Sequence, residues 1–191
     1  MSTTQPIKSK KDLFALKNFY LRDEPNLRNY ALICTGINTA LRISDILELT
    51  WQDVYDFRQN TFRPHLTLRE NKTGKKTVIA LNKNLQKALA AYRNSLPPQK
   101  PEQYIFPGKG SLSLSRQQAF RIIKHAGAAL KFPEPVSCHS LRKTFGYHAW
   151  AAGASPAILM MIYNHSSFQI TKRYLGIDQD DKDHVYLNLN L

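Results

Sequence analysis

Apolar residues recur at helical spacing along most of this chain. Ser9 can cap a helix whose Leu13, Leu16 and Tyr20 share one face. After a polar break from Arg22 to Asn26, a second helix is predicted over about Leu27 to Thr35, where Gly36 interrupts the pattern. A third covers about Ala40 to Leu49, and Trp51, Gln52 and Asp53 open an irregular turn. The period then changes. His65 to Glu70 alternates, Thr77 to Leu81 is rich in β-branched residues, and the Asn71-Lys72-Thr73-Gly74-Lys75 between them has hairpin-turn chemistry. Helical spacing returns with Leu85, Ala88, Leu89, Tyr92 and Leu96, and Pro97-Pro98 ends it.

The last third is helical again. Ser115 and Gln118 form a capping-box pattern before Ala119, Ile122, Ile123, Ala126 and Leu130. His139 to Ala152 reads as a helix, Ser155-Pro156 starts another, and Asn164 suits a left-handed stop. A short helix follows over about Ser167 to Leu175. Val185, Leu187, Leu189 and Leu191 alternate strictly, which predicts a strand at 185–191 inside a C-terminal extension, 176–191. The expected fold class is α+β, mainly helical with a small antiparallel sheet. One domain spans 1–191, with residues 1–8 as a flexible tail.

Charge narrows what such a domain could do. The 191 residues carry 27 Lys and Arg against 14 Asp and Glu, a net charge of +13. A polyanion is the natural partner, because each cation docked on a phosphate releases condensed counterions. Cys34 and Cys138 lie far apart and form no metal-ligand spacing. No stretch is long enough to span a bilayer, and Met1 to Lys11 lacks the apolar run of a secretory signal, so a cytoplasmic protein without membrane contact is expected.

Several residues have the chemistry for attack on a phosphodiester. His139 and Arg142, three apart, project from one helix face. His165 sits at a helix stop and Tyr174 follows nine residues later; Arg42 begins an early helix and Lys72 lies at the tip of a basic hairpin. Guanidinium groups grip non-bridging oxygens, imidazoles shuttle protons, a lysine can protonate a leaving alkoxide and a tyrosine oxygen can attack.

The segments Thr35-Gly36, Ala40 to Leu49, Lys72-Thr73-Gly74-Lys75, His139-Ser140-Leu141-Arg142 and Asn164-His165-Ser166-Ser167 through Thr171 to Tyr174 resemble the tyrosine site-specific recombinases, the phage-integrase family. Order and spacing match from the first helix to Leu175. The resemblance implies that fold and a site-specific recombinase with double-stranded DNA as partner. Tyr174 would attack the scissile phosphate to leave a 3′-phosphotyrosyl link, with Arg42 and Arg142 clamping the phosphate. Lys72 would be the general acid, His139 would assist proton transfer and His165 would hydrogen-bond the phosphate. Lys75 and Lys76 would add DNA contacts. It implies no cofactor, neither metal nor ATP, a tetramer on DNA that is a monomer when free, accessory DNA-bending proteins and a nucleoid-associated location.

Plainer readings stand beside these. Arg42 could pair with Asp45 along a helix, Lys75 competes with Lys72 as the acid, and His139 could merely cap a helix. Tyr147, Tyr163 and Tyr186 read as packing, and Thr171 as a helix-stabilising residue. His65, His125, His148 and His184 are read as structural. The glycine-rich Pro107 to Ser111 lacks phosphate-loop spacing, and Asp178 to Asp183 lacks the calcium-loop glycine. The chain departs from the family with Asn164 where glycine is usual and Lys143 where histidine often follows the second arginine. The first catalytic block starts near residue 35, which leaves no room for the family's additional N-terminal DNA-binding domain, a layout similar to the short recombinases of fimbrial inversion. A type IB topoisomerase and a non-catalytic accessory DNA-binding factor are the rival functions.

Overall fold

A computed structural model describes residues 4–110, 112–177 and 179–189. Helix α1 (Lys10–Asn18) starts at Ser9, whose hydroxyl accepts from the Asp12 amide, and runs on into a wide π-type turn, Phe19–Asp23. Helix α2 (Leu27–Thr39) continues through Gly36 rather than stopping there. The glycine serves packing: a Cβ at 36 would stand 2.6 Å from Leu141 Cδ1, so its absence lets α2 and α7 approach. The helix ends instead at Ala40, whose φ of 56° is left-handed.

Two short helices follow, α3 (Ile43–Leu47) and α4 (Trp51–Val54), so the long third helix divides and the predicted irregular turn is helical. A Thr50–Asp53 capping box starts α4. Strands β1 (Tyr55–Asp56) and β2 (Thr61–Phe62) form one antiparallel pair, and β3 (His65–Arg69) and β4 (Lys76–Ala80) another, in register from His65↔Ala80 to Arg69↔Lys76. Helices α5 (Lys83–Asn94), α6 (Arg116–Ala129), α7 (Cys138–Ala151), α8 (Pro156–Tyr163) and α9 (Phe168–Leu175) agree with the predicted pattern, including the Ser115–Gln118 capping box and the left-handed Asn164 at φ 53°. The mainly helical fold with small antiparallel sheets is therefore the one expected.

Helix α2 lies at the centre. Leu32 faces a core built around Trp51, Leu66, Leu85, Leu89 and Phe106; Ile33 faces a second, of Leu16, Phe19, Tyr20, Ile123 and Leu141. Both sides of α2 are buried, so it is the rigid post against which α7 is set.

Both termini depart from expectation. Residues 1–3 of the predicted tail lie outside the described residues, but 4–8 are docked. Ile7 is buried, its amide donates to Thr144 Oγ1 at 2.9 Å, and its carbonyl lies 2.9 Å from His148 Nε2. At the other end, α10 (Gln179–Asn188) stands where the strand was predicted, with Leu191 outside the described residues. Val185 and Leu189 are four apart, so the same residues that alternate also fit helical spacing, and the helix already begun at Gln179 propagates through Val185 and Leu187 to end at Asn188. Tyr186 is exposed there, not packed.

Candidate active site

Arg42, His139, Arg142, His165 and Tyr174 converge where α7, α8 and α9 meet the loop after α2. Helix α7 supplies His139 and Arg142, held by Ser137, whose hydroxyl accepts from the amides of His139 and Ser140. Arg142 is fully buried. Its guanidinium donates to the carbonyls of Ala40 and Tyr163, the latter at 3.0 Å, so the left-handed turn at Ala40 aims a carbonyl at it. Tyr163 returns the contact, its hydroxyl donating to the Arg142 carbonyl at 2.7 Å. That hydroxyl occupies the space a Cβ at Gly146 would need, at 2.0 Å. Arg142 Nε, also buried, has no protein partner among the described residues.

Around the half-buried Tyr174 ring the centroid distances are 4.8 Å to His139, 4.5 Å to His165 and 5.1 Å to Tyr163. The Arg142 guanidinium stands 5.9 Å from it. His165 stacks on Tyr163, and its Nδ1 lies 3.0 Å from Thr171 Oγ1, which leaves Nε2 for another partner. Thr171 is fully buried, and thus it orients an imidazole rather than merely supporting its helix. Both histidines are pushed down to about 4, His139 by desolvation and then by Lys143, Arg142, Arg42 and Lys72, His165 by desolvation and then chiefly by Arg142 and Arg42. His139 keeps an open edge to solvent, so the cations around it carry much of the direction. Both rings are neutral at pH 7 and can accept a proton.

Arg42 does not pair with Asp45, as a local reading would have it. It bonds Glu70, a fully buried carboxylate at the base of the β3–β4 turn. Glu70 also accepts from Asn164 Nδ2 at 2.9 Å and Thr73 Oγ1 at 3.0 Å, so one carboxylate ties Arg42, the hairpin and the residue before His165 together. Asp45 Oδ1 accepts the Asn71 amide at 2.9 Å and fixes the turn just before Lys72. Lys72 itself is exposed at that turn, near enough to act electrostatically on His139. Lys75 and Lys76 instead border a groove of about 480 Å³ against Met160, Met161 and His165. The part that Glu70, Asp45, Thr171 and Lys143 take in the site is not signalled by sequence spacing; the departures at Asn164, whose side chain meets Glu70, and at Lys143 are the hints.

The Glu70–Arg42 link has a measurable consequence. Burial opposes ionisation of Glu70, but hydrogen bonds from Asn164 and Arg42 and the Arg42 charge outweigh it, so its pKa is lowered. A lowered carboxylate contributes stability that is full above the unfolded value of about 4.3 and lost as pH falls through the folded one. Glu70→Ala is expected to cost about 3 kcal/mol at pH 7, the low end for breaking a buried pair, because 19% of the Arg42 side chain remains exposed. Urea midpoints at pH 7 and pH 3.5 check this: the gap between wild type and variant should shrink at the lower pH.

The family model described as phage integrase matches residues 9–180. The chain is 40% identical over 187 residues to the probable integrase/recombinase YoeC of Bacillus subtilis, covering 97% of each. It is 29% identical over 150 residues to the type 1 fimbriae regulatory protein FimE of Escherichia coli K12, covering 77% of this chain and 73% of that one. The crystal structure of XerA recombinase superposes with a TM-score of 0.78 at 20% identity, covering 98% of this chain and 67% of that one, a likeness of fold.

Proposed function

This chain belongs to the phage integrase family of tyrosine recombinases, and on that premise we propose that it cleaves and rejoins double-stranded DNA at particular sites through a covalent bond to Tyr174. The observation that carries the reading is the Tyr174 ring enclosed by His139 and His165 beside the Arg142 guanidinium. The net charge of +13 supplies the attraction to DNA.

In the proposed reaction the Tyr174 oxygen attacks the scissile phosphorus and the bond to the 5′-oxygen breaks. The phenolic proton passes to neutral His139, and Lys72 protonates the departing 5′-oxygen. Arg42 and Arg142 stabilise the charge that builds on the non-bridging oxygens, with His165 Nε2 as a further donor. Because the phosphotyrosyl bond conserves the phosphodiester free energy, a 5′-hydroxyl can reverse every step and reseal the strand. The test is a nicked duplex incubated with the protein: a denaturation-resistant adduct is expected, and its absence at saturating protein would overturn the reading.

Exchange between two sites requires several protomers, and the proposed working form is a homo-tetramer assembled on paired sites from monomers, helped by DNA-bending proteins at the nucleoid. Val185, Tyr186, Leu187 and Leu189 of the α10 region are exposed and suit contact with a neighbouring protomer. Replacing Tyr186 and Leu187 by serine should lower the protein-to-DNA stoichiometry of the assembled complex, measured by light scattering, while single-site adduct formation continues.

A further inference from the structure

Lys143 follows Arg142 on α7, and the Tyr174 ring lies within reach of both cations. Lys143 Nζ stands 5.8 Å from the ring centroid, close to the 5.9 Å of the arginine. The ammonium is held in place. It donates to the carbonyl of Thr4, and the segment carrying Thr4 is itself fixed to α7 by the Ile7 amide on Thr144 Oγ1 and by His148 on the Ile7 carbonyl. Lys143, His139 and Tyr174 line one groove of about 1100 Å³, with Thr4 on its rim and Arg173 beside the tyrosine.

This placement has an electrostatic reading. Lys143 is half-buried, and desolvation lowers its pKa, so it is a cation kept at some cost beside one aromatic ring. Among the charges acting on His139, that of Lys143 is the largest, so it also favours the neutral imidazole. We propose that Lys143 assists the nucleophile: its ammonium, held by the N-terminal segment, stabilises the negative charge that builds on the Tyr174 oxygen as the phenolic proton leaves. The proposal rests on the phosphotyrosyl reading above and adds a residue to it. Lys143 acts through Tyr174 and is a positioning residue for its charge.

The size of the effect follows from the distance. A unit charge about 6 Å from the ring over which the phenolate charge spreads corresponds, at an effective dielectric near 20, to about 100-fold in rate, and the solvent-open side of the groove reduces that to about tenfold. The groups facing Tyr174 that also respond to pH or carry charge are His139 and Arg142 on α7, Tyr163 on α8, His165 in the following turn and Arg173 on its own helix, with Arg42 and Glu70 acting on Arg142. All keep their identity when only Lys143 is replaced; the one whose titration the lysine also shifts is His139, which burial still keeps neutral above pH 7, so the pH profile is compared there.

The experiment compares wild type, Lys143→Met, Lys143→Gln and Lys143→Arg in single-turnover adduct formation on a nicked duplex at saturating protein, from pH 6.5 to 9. At neutral pH the methionine and glutamine variants should react about tenfold more slowly, and the deficit should narrow as pH rises. The arginine variant should stay within about threefold of wild type. Glutamine keeps a donor for the Thr4 carbonyl without charge, so it separates loss of charge from loss of the anchor. A wild-type rate in the neutral variants overturns the proposal, as does a deficit shared by arginine and constant across pH. If wild type itself forms no adduct, the phosphotyrosyl reading fails first and takes this one with it.

Discussion

Replacing Tyr174 by phenylalanine is expected to abolish the covalent protein–DNA adduct while leaving DNA binding and folding close to wild type. The ring does the packing: it meets His139, His165 and Tyr163 by its faces and edges, all of which phenylalanine retains. The hydroxyl has no protein hydrogen-bond partner among the described residues, so removing it leaves no buried group unsatisfied. What disappears is the attacking atom, and loss of a nucleophile costs at least about 10⁴-fold in rate. Binding should persist because it draws on cations spread over the whole chain. The measurement pairs denaturing electrophoresis of the adduct with a mobility shift at fixed salt. An adduct that survives the substitution would remove Tyr174 from the reaction. A wild-type chain that binds without any adduct would favour the accessory-factor alternative.

How far the sequence reaches can be judged from particular residues. The place of Tyr174 beside His165 was legible because the family resemblance picks out a tyrosine nine residues after that histidine, which puts it in the last turn of α9, against the histidine that precedes the helix. Asn164 was legible on its own, since a left-handed helix stop is a local preference. Glu70 was not. Its partners are 28 and 94 residues away in the chain, and nothing local in a hairpin turn distinguishes an acid that will be buried among Arg42 and Asn164 from one that is solvated. In the sequence Lys143 is only a departure from the family, because its effect depends on where the Thr4 carbonyl and the Tyr174 ring come to lie.

The termini fail for a different reason. A polar, basic opening such as Met1 to Lys11 reads as a tail, yet three hydrogen bonds from its backbone to the side chains of Lys143, Thr144 and His148, with one buried isoleucine, dock residues 4–8 on α7. At 185–191 seven residues are too few to separate a period of two from a spacing of four, and over 185–188 the helix begun upstream decides between them. Gly36 shows the converse case. The conformational cost of glycine in a helix is about 1 kcal/mol, and the close approach of Leu141 across α2 and α7 outweighs it.

Lys72→Ala should slow cleavage about 10²- to 10⁴-fold on an ordinary nicked duplex, the range expected for loss of a general acid, and the loss should largely vanish when the bridging 5′-oxygen is replaced by sulfur. The reason lies in the leaving group. An alkoxide must take up a proton as it departs, whereas a thiolate, whose conjugate acid ionises near pH 8.5, leaves without one. Lys72 fits the part because its turn is fixed while its side chain is free. The Asn71 amide is anchored on Asp45 and Thr73 on Glu70, yet Lys72 is exposed and close enough to act electrostatically on His139. Lys75 sits past Gly74, at the groove against α8, and as a phosphate contact its loss should weaken binding and reduce the salt slope by about one charge without any rescue by sulfur. Rates of adduct formation on the oxygen and sulfur duplexes, for both variants, separate the two lysines. If sulfur restores Lys75→Ala and not Lys72→Ala, the acid is Lys75. The anchored turn would then serve to position the lysine that follows the glycine.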